Sequence, residues 1–168
     1  KDEIHNCLEV LRAGGIILYP TDTVWGIGCD ATNPDAVDKI FKLKQRVDSK
    51  SMIVLMENLN LIPSYIDDAP DVALDLIEFA TKPTTVIFDK AKNLATNVIA
   101  EDGSVGIRIT NEKFSKELIR RFRKPIVSTS ANISVEPTAD RFADIVDEIK
   151  NTVDYVVKYR QDEFKPAK

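Results

Sequence analysis

Histidine and cysteine are nearly absent from this chain of 168 residues, which holds one histidine and two cysteines. Cys7 and Cys29 show neither CxxC spacing nor a disulfide framework, and a single histidine, His5, makes a zinc site improbable. Because His5 falls on a predicted N-terminal helix, the sequence shows no catalytic triad. These absences argue against zinc and triad chemistry, and they favour a reduced, cytoplasmic protein.

Long apolar runs are also missing. None approaches the roughly 20 residues of a membrane-spanning helix, and no signal-peptide pattern opens the sequence as given. Hydrophobic residues make up 43% of the chain and charged residues 30%, as in an ordinary soluble globular protein. The net charge of −4 argues against a protein whose whole surface binds nucleic acid, but it allows a local basic patch. We expect a single domain over residues 1–168.

Apolar residues recur along the chain alternately at helical and at strand spacing. The spacing predicts helices that start near residues 4, 34, 70, 111 and 139, and strands over residues 16–19, 52–56, 83–88, 105–109, 126–128 and 153–157. Helices alternating with strands in this way indicate an α/β fold, in which helices pack against a sheet. Several strands are short and irregularly spaced, which favours a mixed sheet over a regular doubly wound one.

Two short stretches far apart in the sequence carry complementary groups. Lys44 and Arg46 offer two cations, and Ser128, Ser130 and Asn132 offer hydroxyl and amide groups at every second position. Residues i and i+2 point the same way only in extended chain. We therefore expect Lys44 and Arg46 just past a helix end, and the three polar residues along one side of an extended segment. Cations combined with neutral donors are typical of a site for phosphate or carboxylate oxygens.

The segment Tyr19–Ala31, YPTDTVWGIGCDA, follows the first predicted strand and is expected to be a loop rich in hydroxyls and small residues. Gly26 and Gly28 would let the backbone approach a ligand closely. The segment matches neither GxxxxGK[ST] nor GxGxxG, which argues against an ordinary P-loop enzyme and a dinucleotide-binding domain. Trp25 and Ile27 are more typical of a core than of a ligand contact.

Three motifs together resemble those of a known family. Segment 19–31 closely resembles the YPTDTVYGLGCDA signature of the YrdC-like family, and Lys44–Arg46 resembles its KxR motif. Residues 128–132, STSAN, match the segment that contains its SxN motif, and Val105–Arg108 resembles a further strand of the family. The motifs lie in the family's order over most of the chain, so the resemblance is far more specific than one short pattern.

This resemblance implies an enzyme of the threonylcarbamoyl-AMP synthase type. Such enzymes combine L-threonine, bicarbonate and ATP into threonylcarbamoyl-adenylate and release pyrophosphate, with Mg²⁺ accompanying the nucleotide. Other proteins then transfer the threonylcarbamoyl group to tRNA. The implied fold is an open, twisted mixed sheet with packed helices and a concave, positive face. Older descriptions of the family also stress binding of double-stranded RNA.

The resemblance also implies roles for individual residues. The expected catalytic residues, which also bind nucleotide, are Lys44, Arg46, Ser130 and Asn132, and Lys50 is a further nucleotide-binding cation. The expected substrate-binding residues are Thr23, Thr85, Arg108 and Ser128. No protein ligand to a metal is expected, since Mg²⁺ would bridge the phosphates. Cys29 is expected to be a packed residue.

The chain departs from the family pattern around the expected amino-acid pocket. Leu55 stands where the family often has a histidine aimed at the threonine, and residues 80–82, ATK, replace a Trp-Pro-Gly. One alternative is therefore a YrdC-like module that binds nucleotide or double-stranded RNA without synthase activity. Another is the carbamoyl-transfer unit of hydrogenase-maturation enzymes, but the zinc-finger cysteines of those chains are missing.

Overall fold

The computed structural model describes residues 2–21, 25–44, 52–130, 145 and 147–159. Its strands are β1 (Ile17–Tyr19), β2 (Gly26–Gly28), β3 (Ile53–Met56), β4 (Thr85–Phe88), β5 (Val105–Ile109), β6 (Ile126–Ser130) and β7 (Tyr155–Val156). Its α-helices are α1 (Asp2–Arg12), α2 (Pro34–Lys44), α3 (Asp71–Glu78), α4 (Lys113–Phe122) and α5 (Asp147–Thr152), with a 3₁₀-helix over Leu59–Ser64. No helix within these ranges is long and apolar enough to cross a membrane.

The seven strands form one open sheet in the order β4-β5-β3-β6-β2-β1-β7. β3 runs parallel to β5 and β1 runs parallel to β7, whereas the other neighbouring strands are antiparallel. The predicted α/β fold with a mixed sheet is therefore confirmed.

Local signals in the sequence account for the helix starts. Before α2, the Asn33 Oδ1 atom accepts hydrogen bonds from the backbone N–H groups of Asp35 and Ala36, at 3.0 and 3.2 Å, and proline fills the first helical position. Before α4, the cap is Glu112 and not the predicted Asn111. The Glu112 carboxylate accepts the N–H groups of Phe114 and Ser115, at 3.1 and 2.7 Å.

The prediction of a single loop over residues 19–31 was wrong, because this segment contains β2. β2 lies inside the sheet and pairs antiparallel with β1 and β6. Two of the three residues of β2 are glycines, so the sequence does not show the side-chain pattern that is typical of a strand. A Cβ at Gly28 would lie 2.6 Å from the Tyr19 Cε1 atom and 2.7 Å from the Val127 carbonyl oxygen. Gly28 therefore makes room for the fully buried Tyr19 ring, whose hydroxyl donates to the same carbonyl at 3.1 Å.

Several predicted boundaries also moved. β6 extends to Ser130, two residues beyond the predicted strand, because its second half pairs with β2. Lys44 is the last residue of α2 and does not follow it, which suits a cation near the negative end of the helix dipole. A helix is predicted over residues 139–149. Residues 139–144 and residue 146 of this stretch lie outside the described part of the chain.

The strand register separates two faces of the sheet, because paired residues share a face and neighbours in one strand alternate. The inner face carries residues that are fully buried: Ile27, Val54, Met56, Ile107 and Val127. α1 and α4 pack against each other and against β1 and β3 respectively, and Ile119 of α4 lines a small cavity with Met56. These two helices therefore cover the inner face.

Gly28→Ala should lower the free energy of unfolding by about 1–3 kcal/mol, as expected for overpacking. The added methyl group would meet a buried ring and a backbone carbonyl, neither of which can move aside easily. Urea unfolding of the two proteins measures the difference.

Gly106→Ala is the matched control, since Gly106 also lies in a strand. Its Cβ would meet only side-chain methyl groups of Ile53 and Thr85, at 3.2 Å. This variant should lose at most about 1 kcal/mol. Equal losses in the two variants would contradict the role given to Gly28.

Candidate active site

The two motifs meet where α2 and β6 end. Lys44 is 1% exposed, and its Nζ atom donates to the Ser130 carbonyl oxygen at 2.7 Å and to the Ser130 Oγ atom at 3.4 Å. The two residues are 86 positions apart in the sequence. The structure thus confirms that the motifs converge, through these two residues, whereas the catalytic roles of both stay predictions.

Burial of the Lys44 ammonium group requires hydrogen-bond partners, because an unpartnered charge is costly away from water. A backbone carbonyl and a hydroxyl provide two of them. Neither of these oxygen atoms carries a full charge, so this contact fixes the position of the ammonium without itself cancelling its charge. The result is a cation held rigidly at the end of β6.

A second cation lies on the same face of the sheet, which we call the polar face. Arg108 is 7% exposed and pairs with Leu55 of β3 on one side and with Thr85 of β4 on the other. Thr85 is exposed, so the outer flank of Arg108 is formed by a hydroxyl side chain that solvent reaches. A buried arginine beside an open threonine suits an anionic group bound at this edge.

The register links Arg108 to the serine motif. Ile53 of β3 pairs with Gly106 on one side and with Ser128 on the other, and Ser128, Ser130, Gly106 and Arg108 therefore share the polar face. β5 and β6 are separated only by β3, so they lie roughly 9–10 Å apart. The polar face thus presents two cations, Lys44 and Arg108, on either side of a serine. That arrangement suits a ligand with anionic groups at two places.

Glycine in β2 makes room for two buried side chains beside these groups. A Cβ at Gly26 would lie 3.1 Å from the Ser128 Oγ atom and 3.4 Å from the Thr21 Cγ2 atom. Gly26 therefore lets Ser128 and the buried Thr21 sit close together. Sequence analysis gave Thr21 no role in the site, and its place beside β2 shows that it lies next to Ser128.

The other predicted site residues fall outside the described part of the chain. They are Thr23, Arg46, Lys50 and Asn132. The expected positive face, on which Lys44, Arg46, Lys50 and Arg108 would converge, therefore stays a prediction.

A cavity of about 400 Å³ lies at one end of the sheet, and its lining includes Ile109 and Lys116 but neither Arg108 nor Thr85. It lies where β3 and β5 end and β4 begins, and charges of both signs line it, including Glu57, Glu78, Lys82 and Lys116. Asn58 and Asn111 add amide groups. No motif marks these residues, since they belong to three separate loops and two helices, and sequence reasoning missed them.

Neither cysteine can act as a ready nucleophile. Cys7 and Cys29 are both fully buried. Burial raises the pKa of the Cys7 thiol to about 12 and, with the nearby Asp30, raises the pKa of the Cys29 thiol even further. Within the described ranges, no cluster of histidine, cysteine and carboxylate side chains could hold a metal ion. Among the described residues, the groups that the site offers are the buried cations Lys44 and Arg108 and the hydroxyl groups of Ser128 and Ser130.

Comparison with known proteins agrees with this geometry. The family model Sua5_yciO_yrdC, described as "Telomere recombination", matches residues 9–166. The threonylcarbamoyl-AMP synthase of Pseudoalteromonas translucida (strain TAC 125) is 33% identical over 160 residues, which cover 94% of this chain and 86% of the relative. The protein of the same name from Pseudomonas aeruginosa (strain UCBPP-PA14) is 37% identical over 132 residues, 78% of this chain and 71% of the relative.

Among solved structures, P. abyssi Sua5 in complex with L-threonine superimposes with a TM-score of 0.85 at 22% identity. The match covers 98% of this chain and 47% of that one, so the chain spans about half of the Sua5 protein. At this identity the likeness shows a shared fold.

The two thiols should not react with Ellman's reagent in the native protein at pH 8, because burial holds their pKa values far above this pH. Both should react at once in denaturing urea. Following absorbance at 412 nm in each condition checks this. Rapid reaction of either native thiol would show that a cysteine is available for chemistry.

Proposed function

Because the chain belongs to the Sua5/YciO/YrdC family, we propose that it forms threonylcarbamoyl-AMP and pyrophosphate from L-threonine, bicarbonate and ATP. The family model spans residues 9–166, and relatives that are 33% and 37% identical carry the name of this synthase. The observation that carries the proposal is the contact of Lys44 with Ser130, which joins the two family motifs at one site.

The reaction is the attack of a carbamate oxygen on the α-phosphorus of ATP. The neutral threonine amine first condenses with bicarbonate, which releases water as the N–C bond forms, and the resulting carbamate is already an anion. No strong base is therefore needed. The enzyme must bring two anions together, stabilise charge on the α-phosphate and on the departing pyrophosphate, and keep water from a labile product.

The nucleotide end of this reaction is assigned to the two motifs. Lys44, fixed at Ser130, would hold phosphate oxygens, and Arg46 would stabilise the charge that develops at the α-phosphate. Ser130 and Asn132 would donate hydrogen bonds to phosphate or carbamate oxygens, and Lys50 would add a further cation. Mg²⁺ would enter with ATP and offset part of the charge on the phosphates, with few protein ligands.

The amino-acid end is assigned to the other side of the polar face. Arg108 would orient an anionic group of the substrate, with Thr85 and Ser128 on neighbouring strands and Thr23 as a further contact. Leu55 is fully buried beside Arg108, so at this position packing replaces the family's histidine.

The same proposal covers the route of the product to tRNA and the location of the protein in the cell. The product would reach tRNA through other modification proteins, and the protein would work in the cytoplasm, where ATP and threonine are plentiful. Direct RNA binding is a separate possibility.

Arg46→Ala should reduce pyrophosphate release by roughly 10²-fold or more, as expected for the loss of one preorganised charge-stabilising group. Lys44→Ala should act similarly, and Ser130→Ala and Asn132→Ala should have smaller effects. The assay measures pyrophosphate from ATP with threonine and bicarbonate both present.

Two controls sharpen this assay. Lys42→Ala removes an exposed cation from the same helix turn as Lys44, where it pairs with Asp38 at 3.1 Å, and Cys29→Ser changes the buried thiol. Both variants should keep near wild-type rates. If Arg46→Ala is fully active, the reaction centre has been assigned wrongly, even if the family reaction stands.

Arg108→Gln should raise the KM for L-threonine by about tenfold or more, because a charge-assisted hydrogen bond would be lost. The KM for ATP should stay within about twofold. Arg108→Lys keeps the charge but loses the planar guanidinium group. Its KM for L-threonine should therefore lie between those of wild type and Arg108→Gln. A rise confined to the KM for ATP would instead move Arg108 to the nucleotide end.

The alternative is a module that binds nucleotide or double-stranded RNA without making the adenylate. Calorimetric titration with ATP, with and without threonine and bicarbonate, separates the two functions. Wild-type protein that binds ATP yet releases no pyrophosphate in the complete mixture would favour the binding module.

A further inference from the structure

A groove of about 690 Å³ runs between α1 and α4, on the helical side of the sheet. It is lined by Ile4, His5, Leu8, Arg12, Glu117, Arg120, Arg121 and Arg123. Four of these eight residues are arginines, and none is Phe, Tyr or Trp. α1 and α4 cover the inner face, so the groove lies across the sheet from the Lys44–Ser130 contact and takes no part in the proposed reaction.

The groove is strongly cationic although the chain as a whole carries a net charge of −4. Its one carboxylate, Glu117, accepts two hydrogen bonds from Arg120, at 2.9 and 2.7 Å, and lies 3.6 Å from Arg121. The Arg120 hydrogen bond lowers the pKa of the Glu117 carboxyl group, so Glu117 is ionised at neutral pH. Four guanidinium groups therefore face a single carboxylate.

Arg123 occupies an unusual backbone position. It follows the last residue of α4 in the left-handed conformation, with φ 66° and ψ 20°, and Pro125 comes two residues later. Glycine is the usual residue at such a helix end, because a side chain there is sterically disfavoured. An arginine at this position is understandable if its side chain, exposed at the end of the groove, has a function of its own.

We propose that the α1–α4 groove docks an acidic segment of a partner protein, with carboxylates bound by Arg12, Arg121 and Arg123. Arginine forks bind carboxylates in a bidentate manner and are frequent anchors of protein interfaces. The groove is only as long as α1, and 11 residues of helix measure about 16 Å. A short peptide segment fits that length.

A nucleic acid fits the same surface less well. A duplex would extend beyond the groove onto the surface of an acidic protein, where Glu9, 3.6 Å from His5, lies outside the groove lining. A single strand would find no Phe, Tyr or Trp on which to stack its bases, and the one ring in the groove is that of His5. Charge complementarity over a short distance therefore favours carboxylates of a protein.

The test uses a fluorescein-labelled helical peptide of about 12 residues with glutamates at i, i+4 spacing, and a counterpart in which glutamine replaces every glutamate. Binding to the full chain is followed by fluorescence anisotropy at low salt. Arg123→Gly should weaken binding of the glutamate peptide about fivefold, which is the upper range for one exposed ion pair. The same variant should be at least as stable as wild type to heat, because glycine suits the left-handed position.

Lys90→Gly is the matched control. Lys90 is also exposed and also left-handed, with φ 57°, and it pairs with Asp68 at 3.6 Å away from the groove. Like Arg123→Gly, this variant removes one positive charge and places glycine at a left-handed position. It should bind the glutamate peptide within about twofold of wild type.

Four outcomes would overturn the proposal. Wild-type protein could bind the glutamate and glutamine peptides equally, or Arg123→Gly and Lys90→Gly could weaken binding equally. A duplex RNA of about 20 base pairs could bind more tightly than the glutamate peptide and lose affinity in Arg123→Gly, which would make the groove a nucleic-acid site. Saturating ATP could displace the glutamate peptide, which would place the peptide on the polar face instead.

Discussion

The antiparallel pairing of β6 with both β3 and β2 is the constraint on which the rest of the structure depends. β6 is the only strand that joins β4, β5 and β3 to β2, β1 and β7 in the described sheet. Its pairing with β3 ends at Ser128, and its pairing with β2 continues to Ser130. A shift of one residue would turn both serines into the packed inner face, since side chains alternate along a strand.

This pairing also explains why Lys44 can be buried. Ser130 is held in the sheet by Gly26, so its carbonyl and hydroxyl oxygens have fixed positions when the end of α2 approaches. A lysine placed on a flexible loop would lose far more side-chain freedom on binding an anion. In the folded protein the Lys44 side chain is already ordered before an anion arrives. It therefore presents an oriented cation, as electrostatic catalysis requires.

The sequence predicted those features that depend on neighbouring residues. Asn33-Pro34 predicted the start of α2 because capping is local, and buried apolar runs predicted β3 and β5 because both faces of these strands are covered. β2 was missed because two of its three residues are glycines. Gly28 makes room for the Tyr19 ring on the next strand, and Gly26 makes room for Ser128 and Thr21. The groove cations were missed for a similar reason, since Arg12 and Arg123 meet only after two helices have packed.

Val72, Leu76 and Phe79 illustrate the same limit, because helical spacing predicted α3 correctly yet all three side chains are exposed.

The cations on the two sides of the sheet differ in how strongly water and salt screen their charges. On the polar face, the cations Lys44 and Arg108 are almost fully buried, 1% and 7% exposed, so solvent and salt screen them little and their fields act strongly on a bound anion. On the helical side, the side chains of Arg120 and Arg121 are 60% and 45% exposed, so each attraction is weak, screened and reversible. Burial suits a site that must stabilise a fleeting charge, and exposure suits a surface that must release its partner. Under the two proposals, a protein of net charge −4 would attract anions at two places for different purposes, because exposure would set the strength of each site more than total charge does.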